Sequence, residues 1–248
     1  MDNERPTLVL LHPFPEDASF WDALRARLTV DVDVIAPQFP GFGGRVLEHE
    51  PSISDAAAEV AEIIMRADAA PAIVCGLSMG GYVALALVEE HPHLVGGLIL
   101  ANTRADADTE EGRAGRHSAI ATIRGEGFAA FLDGFMPRMT SEAADPDVVV
   151  TARAIAEMQR PESVVGALFA MRDRADRIAA LARISVPTAV VQGEEDRVTP
   201  AEAIDRLVAG IPGAERHLIP GVGHLSALEA PQAFATVVAS VVRRVSAS

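Results

Sequence analysis

Short apolar runs at residues 7–11, 32–36, 72–75, 94–100, 188–191 and 216–219 alternate with longer stretches in which apolar positions recur at helical spacing. Most of the short runs are apolar at successive rather than alternate positions. That pattern predicts strands buried on both faces, and so a mostly parallel sheet. Among the longer stretches, residues 17–28 carry Phe20, Leu24 and Leu28 four apart, and residues 54–66 set Val60, Ile63 and Ile64 on one face. Residues 79–90 are apolar nearly all round, as for a helix covered by other layers. Thr199-Pro200-Ala201-Glu202 reads as a capping box with proline at the first helical position, opening a helix to about Ile211. A last helix is predicted over about 226–245, strained at Pro231. Alternation of this kind predicts a doubly wound α/β domain.

Residues 104–183 break the alternation. They hold no convincing strand and read as helices over about 109–125, 127–139, 146–159 and 161–181, separated by turn signals such as Gly125-Glu126-Gly127 and Asp145-Pro146. An all-helical insertion between two strands is expected, with residues 1–103 and 184–248 forming the surrounding core.

Composition narrows the function. The 248 residues are 49% hydrophobic with a formal net charge of −14, which fits a globular chain and argues against nucleic acid or an anionic membrane as partner. All 21 basic residues are arginine, so neither a Schiff-base lysine nor a phosphate-loop lysine exists. The one cysteine, Cys75, permits neither an intramolecular disulfide nor a cysteine-rich metal site. The polar, acidic start at residues 1–6 is unlike a signal peptide, no run of about 18 apolar residues occurs, and a cytoplasmic protein is expected. No motif implies a metal or a cofactor.

Gly76-Leu77-Ser78-Met79-Gly80-Gly81 follows one apolar run and opens the most apolar helix. A G-x-S-x-G sequence between strand and helix forces a sharp turn that exposes the serine hydroxyl at a helix N-terminus. A serine nucleophile needs a base, and the base needs an acid to orient it. Asp196 follows the 188–191 strand and His224 follows the 216–219 strand, so each would stand at a strand's carboxyl end, where such sheets have their crevice. Glu194 and Glu195 are alternatives to Asp196. His49, His91, His93, His117 and His217 lack the glycine-framed turn of His224, and His12 comes too early in the chain. The oxyanion of an acyl-transfer intermediate needs two aimed N–H groups. Met79 would supply one and Phe14, in Leu11-His12-Pro13-Phe14-Pro15, the other; His12 reads as a brace for that loop.

These landmarks, with Trp21, Pro40-Gly41-Phe42-Gly43 and Gln192-Gly193, resemble the α/β-hydrolase fold over nearly the full chain, close to 3-oxoadipate enol-lactonase-like hydrolases and carboxylesterases. The resemblance implies that the helical insertion is a lid. Pro13 replaces the family's glycine, and the chain starts almost at the family's third strand. A shortened, mostly parallel sheet of about six strands with helices on both faces is therefore expected. An exposed sheet edge would leave room for a homo-oligomer. Ser78 argues against dehalogenase chemistry, which uses aspartate there. The expected activity is hydrolysis of a small ester or lactone through an acyl-enzyme. Carbon–carbon bond hydrolysis or cofactor-free perhydrolysis on the same residues, and a catalytically silent binding protein, are the alternatives. Phe128, Phe131, Leu132, Phe135 and Met136 are apolar lid residues that would pack the lid down or line a pocket.

Overall fold

A computed structural model describes residues 5–247; the polar start at residues 1–4 lies outside the described residues. Six strands form one sheet: β1 (Thr7–Leu11), β2 (Asp33–Ile35), β3 (Ala72–Leu77), β4 (Val95–Ala101), β5 (Thr188–Gly193) and β6 (Glu215–Ile219). Their order is β2-β1-β3-β4-β5-β6 and every pairing is parallel. The short parallel sheet expected from the sequence is the one found. In β1, β3 and β5 every residue is buried, as successive apolar positions demand, whereas the edge strands β2 and β6 expose part of their length.

Ten α-helices accompany the sheet among the described residues. Flanking the sheet are α1 (Asp22–Arg25), α2 (Ile53–Arg66), α3 (Met79–Glu90), α8 (Ala201–Gly210), α9 (Ser226–Glu229) and α10 (Pro231–Ser246). Between β4 and β5 lie α4 (Glu110–Gly125), α5 (Phe128–Phe135), α6 (Pro146–Glu157) and α7 (Pro161–Arg172). Helix α2 starts where the Ser52 hydroxyl accepts from Asp55 N at 3.0 Å, and it buries Ile53, Ala57, Val60, Ala61 and Ile64. Each large aliphatic side chain buried this way contributes about 1.5–3 kcal/mol. Helix α3 packs on β1, β3, β4 and α2, and ten consecutive residues of it are buried.

Four elements differ from the sequence reading, each for a local reason. The helix expected over 17–28 is a tight 3₁₀ turn at Ala18–Trp21 followed by α1. Asp17 caps the turn through Ser19 N at 2.9 Å, and the tighter winding buries the adjacent Phe20 and Trp21 together. The helix expected over 161–181 stops at Arg172, because Arg174 turns inward onto the helix-end carbonyl of Met171 at 2.8 Å. The final helix breaks at Ala230, since Pro231 cannot donate a backbone hydrogen bond. The Thr199 capping box does not form: the hydroxyl donates to Asn102 O at 2.8 Å, and α8 starts at Ala201.

The two ends of the segment between β4 and β5 are fastened together. Arg177 N donates to Ala105 O at 2.8 Å, and the Arg174 guanidinium reaches Asp106 O at 2.8 Å and Asp108 at 2.5 Å while lying over the Tyr82 ring. Arg177 also pairs with Glu89 and with Glu90, which ties this neck to the end of α3. The Arg174–Asp108 pair is almost fully buried, so removal of Asp108 would leave the Arg174 guanidinium without its carboxylate at a cost of about 3–5 kcal/mol, whereas Asp108 would keep Arg116 at 3.1 Å if Arg174 were removed.

One buried group works against the fold. Glu16 is fully buried, and neither carboxyl oxygen has a hydrogen-bond partner among the described residues. Burial, reinforced by the nearby Asp17 charge, pushes its pKa well above the ordinary carboxylate value. The native state therefore holds a proton that the unfolded chain releases above about pH 4.3. Stability contributed by that proton falls as pH rises from there through the native pKa. Glu16→Leu is expected to add about 1–3 kcal/mol at neutral pH, roughly 2–4 °C in Tm per kcal/mol. The gain should grow from pH 5 to pH 8 in urea unfolding; an equal difference at every pH would show that Glu16 is not held neutral.

Candidate active site

At the end of β3 the chain turns into α3 through Ser78, whose backbone lies at φ 54°, ψ −113°. A non-glycine residue there is strained and must be held by its surroundings. Ser78 N donates to Ala101 O at 2.9 Å, and Ser78 O accepts from the Thr103 hydroxyl at 2.8 Å and from Gly81 N at 2.9 Å. The flanking glycines allow the approach. A Cβ on Gly76 would stand 2.2 Å from Gly80 O, and one on Gly80 would stand 2.0 Å from Leu11 O. The elbow is thus pressed onto the carboxyl end of β1, where the loop bearing Phe14 begins.

Ser78, Asp196 and His224, distant in sequence, come together. His224 Nε2 lies 2.8 Å from Ser78 Oγ, and His224 Nδ1 lies 3.0 Å from both oxygens of Asp196. An ionised carboxylate only accepts, so Nδ1 carries the ring hydrogen and Nε2 is left to accept the serine hydroxyl proton. The Asp196 and His224 side chains are fully buried, whereas Ser78 is partly exposed. Asp196 Oδ1 also accepts from Val198 N at 2.8 Å and Thr199 N at 3.0 Å, and Oδ2 accepts from Asn102 Nδ2 at 2.8 Å. Burial pushes the Asp196 carboxyl up; the His224 ring and these N–H groups outweigh burial and hold it below the usual carboxylate range. Glu194 and Glu195 are exposed, and Glu194 instead accepts from Gly221 N at 2.9 Å.

The Phe14 loop is braced as expected. His12 Nδ1 donates to Pro13 O at 3.0 Å and Nε2 accepts from Phe39 N at 3.2 Å, an arrangement open only to a neutral ring. Burial lowers the His12 pKa to about 4, against opposing contributions from the Pro13 hydrogen bond and Asp17. Among the described residues, no loop carbonyl or side chain takes up the N–H of Phe14 or of Met79. Beside the elbow, Phe39, Phe42, Met79, Val83, Ala167 and Ala170 line an apolar crevice. The Phe14 ring meets Phe131 and Phe135 of α5 edge-on, with centroids 6.3 and 5.6 Å apart. Cys75 is buried and its thiol pKa is pushed up by burial, so it stays an unreactive core residue. No group of three or more His, Cys, Asp or Glu among the described residues is placed to hold a metal ion.

Residues 8–237 match the alpha/beta hydrolase family. The chain belongs to that family. Similar proteins include a pimeloyl-(acyl-carrier protein) methyl ester esterase of Aromatoleum aromaticum, 29% identical over 258 residues that cover 96% of this chain and 99% of that one. A thermophilic esterase from Thermogutta terrifontis superposes with a TM-score of 0.91 at 30% identity, covering 97% of this chain and 90% of the other. The enol-lactonase from Burkholderia xenovorans superposes with a TM-score of 0.87 at 26% identity, covering 97% and 92%. This alpha/beta hydrolase is an enzyme, and among its described residues no helix is long and apolar enough to cross a membrane.

Sequence reasoning missed Asn102 in this hydrolase. It follows β4, is fully buried at φ 48°, donates to Asp196, and accepts from the Ser226 hydroxyl at 2.5 Å. Its position at a strand's carboxyl end was the available signal.

Proposed function

We propose that this hydrolase cleaves a small carboxylic ester or lactone through an acyl-enzyme on Ser78. The observation that carries the reading is the 2.8 Å contact of Ser78 Oγ with a ring nitrogen whose opposite nitrogen is held by Asp196. Ser78 Oγ attacks the acyl carbon and its proton passes to His224 Nε2. The Phe14 and Met79 N–H groups receive the oxyanion, where each donor is worth roughly 10²–10³ in rate. As the bond to the leaving alkoxide breaks, His224 returns the proton to it. Water then gives His224 a proton and attacks the acyl group, and Ser78 is released with its hydrogen restored. Asp196 keeps the ring in the required tautomer and balances its transient positive charge.

Residues 104–183 act as a lid over a core formed by residues 1–103 and 184–248. The aromatic face of α5 and the apolar crevice beside Met79 suit an apolar acyl group. The ester substrate named for the Aromatoleum relative and the enol-lactonase neighbour support the same chemistry.

A fluorophosphonate probe and a panel of short nitrophenyl esters, methyl esters and enol-lactones test this. Stoichiometric labelling of Ser78 with loss of turnover is expected. A folded preparation that takes no label and turns over none of the panel would make the chain a binding protein.

A further inference from the structure

The residues on either side of His224 are both fastened to the insertion. Leu225 N donates to Met139 O at 3.0 Å. Gly223 N donates to both oxygens of Glu229 at 3.1 Å, and the same carboxylate accepts from Ser141 N at 2.9 Å. The approach leaves no room for a side chain, since a Cβ on Gly223 would stand 2.4 Å from Ser141 N and 2.5 Å from the Thr140 carbonyl carbon. The acid's turn reaches the same segment: Arg197, next to Asp196, donates to Pro137 O at 2.9 Å and Thr140 O at 3.0 Å and pairs with Glu142 at 3.1 Å.

From this convergence we propose that Glu229 is a positioning residue that fixes the His224 turn against residues 137–142. The proposal rests on the hydrolase reading above. Glu229 touches no reacting atom. It joins the main chain before the histidine to the main chain of the insertion through one carboxylate, and charge-assisted bonds of this kind are about twice as strong as neutral ones. Loss of the link lets the His224 turn drift from segment 137–142, and a misplacement of about 1 Å costs about a hundredfold in rate. In Glu229→Gln the amide oxygen can stand where Oε2 accepts from both Ser141 N and Gly223 N, but the NH₂ in place of Oε1 then faces Gly223 N donor to donor and the charge is lost; in Glu229→Ala both N–H groups are left unpaired.

The test reads kcat per titrated Ser78, counted with the fluorophosphonate probe, on an acetate and on a bulkier ester. Glu229→Gln is expected to lower kcat per site roughly tenfold, and Glu229→Ala roughly a hundredfold, equally on both esters with KM within about twofold. Glu194→Gln, in the neighbouring turn with its own backbone bond to Gly221 N, should keep kcat per site. A stability role alone would lower Tm and the number of titratable sites and leave kcat per site unchanged, and that result overturns the proposal. So does an equal loss in Glu194→Gln, which would mark generic loosening of the turn. If Glu229→Ala does not fold, Glu229→Gln decides. Failure of the wild-type enzyme to take the probe would instead count against the hydrolase reading.

Discussion

Ser78→Ala is expected to lower turnover of a short nitrophenyl ester by at least about a thousandfold while leaving the fold intact. The hydroxyl meets His224 alone, whereas the strained elbow is held through main-chain atoms: Ser78 N on Ala101 O, and Ser78 O under Thr103 and Gly81. Alanine keeps all of those. The residual rate would come from the oxyanion donors and from binding, so KM should move little. The variant should take no fluorophosphonate label and should match the wild type in circular dichroism and Tm. Near-normal turnover in a preparation whose sequence has been verified would remove Ser78 from the mechanism.

Asp196→Asn should cost up to about ten-thousandfold in turnover, by setting the wrong tautomer on His224. The geometry says why an amide cannot substitute. Val198 N and Thr199 N both point at Oδ1, so the amide oxygen of an asparagine settles there and its NH₂ replaces Oδ2. That NH₂ faces Asn102 Nδ2 and His224 Nδ1. Asn102 is not free to flip, because its own oxygen accepts from Ser226. The amide oxygen at Oδ1 is also 3.0 Å from His224 Nδ1 but already accepts from Val198 N and Thr199 N, so the NH₂ favours Nδ1 as an acceptor; the ring hydrogen then sits on Nε2, and that tautomer cannot take the serine proton. Glu194→Gln and Glu195→Gln should stay within about twofold of the wild type. An active Asp196→Asn beside an inactive variant at Glu194 or Glu195 would reassign the acid. The native pKa of Asp196 is lowered, so its contribution to stability is present above about pH 3.9 and is lost as pH falls through the native value.

What could be read from sequence follows the range of the interaction. Strands buried on both faces, a glycine-framed serine between strand and helix, and an Asp and a His after later strands all leave local marks, and Ser78, Asp196 and His224 converge as their order suggested. Contacts between loops far apart leave no such mark. Asn102 looks like the start of an ordinary turn, Thr199 like a helix cap, Glu229 like a solvated helix end and Arg197 like a surface charge. Each takes its partner from a different part of the chain. Glu16 misleads in the other direction, since a carboxylate in a polar loop reads as exposed and is fully buried here.

Apart from the exposed Arg197–Glu142 pair, the hydrogen bonds among the described residues between the insertion and the turns of Asp196 and His224 run through main-chain atoms on the insertion's side: Pro137 O, Met139 O, Thr140 O and Ser141 N. Any side chain that keeps the local backbone path offers the same groups. The constraint on amino-acid identity therefore falls on Gly223, Glu229 and Arg197, outside the insertion. Residues 137–141 are left comparatively free to change their side chains as lineages diverge or as a designer screens libraries. A fold arranged this way can change side chains between residues 137 and 141 without disturbing the arrangement of Ser78, Asp196 and His224.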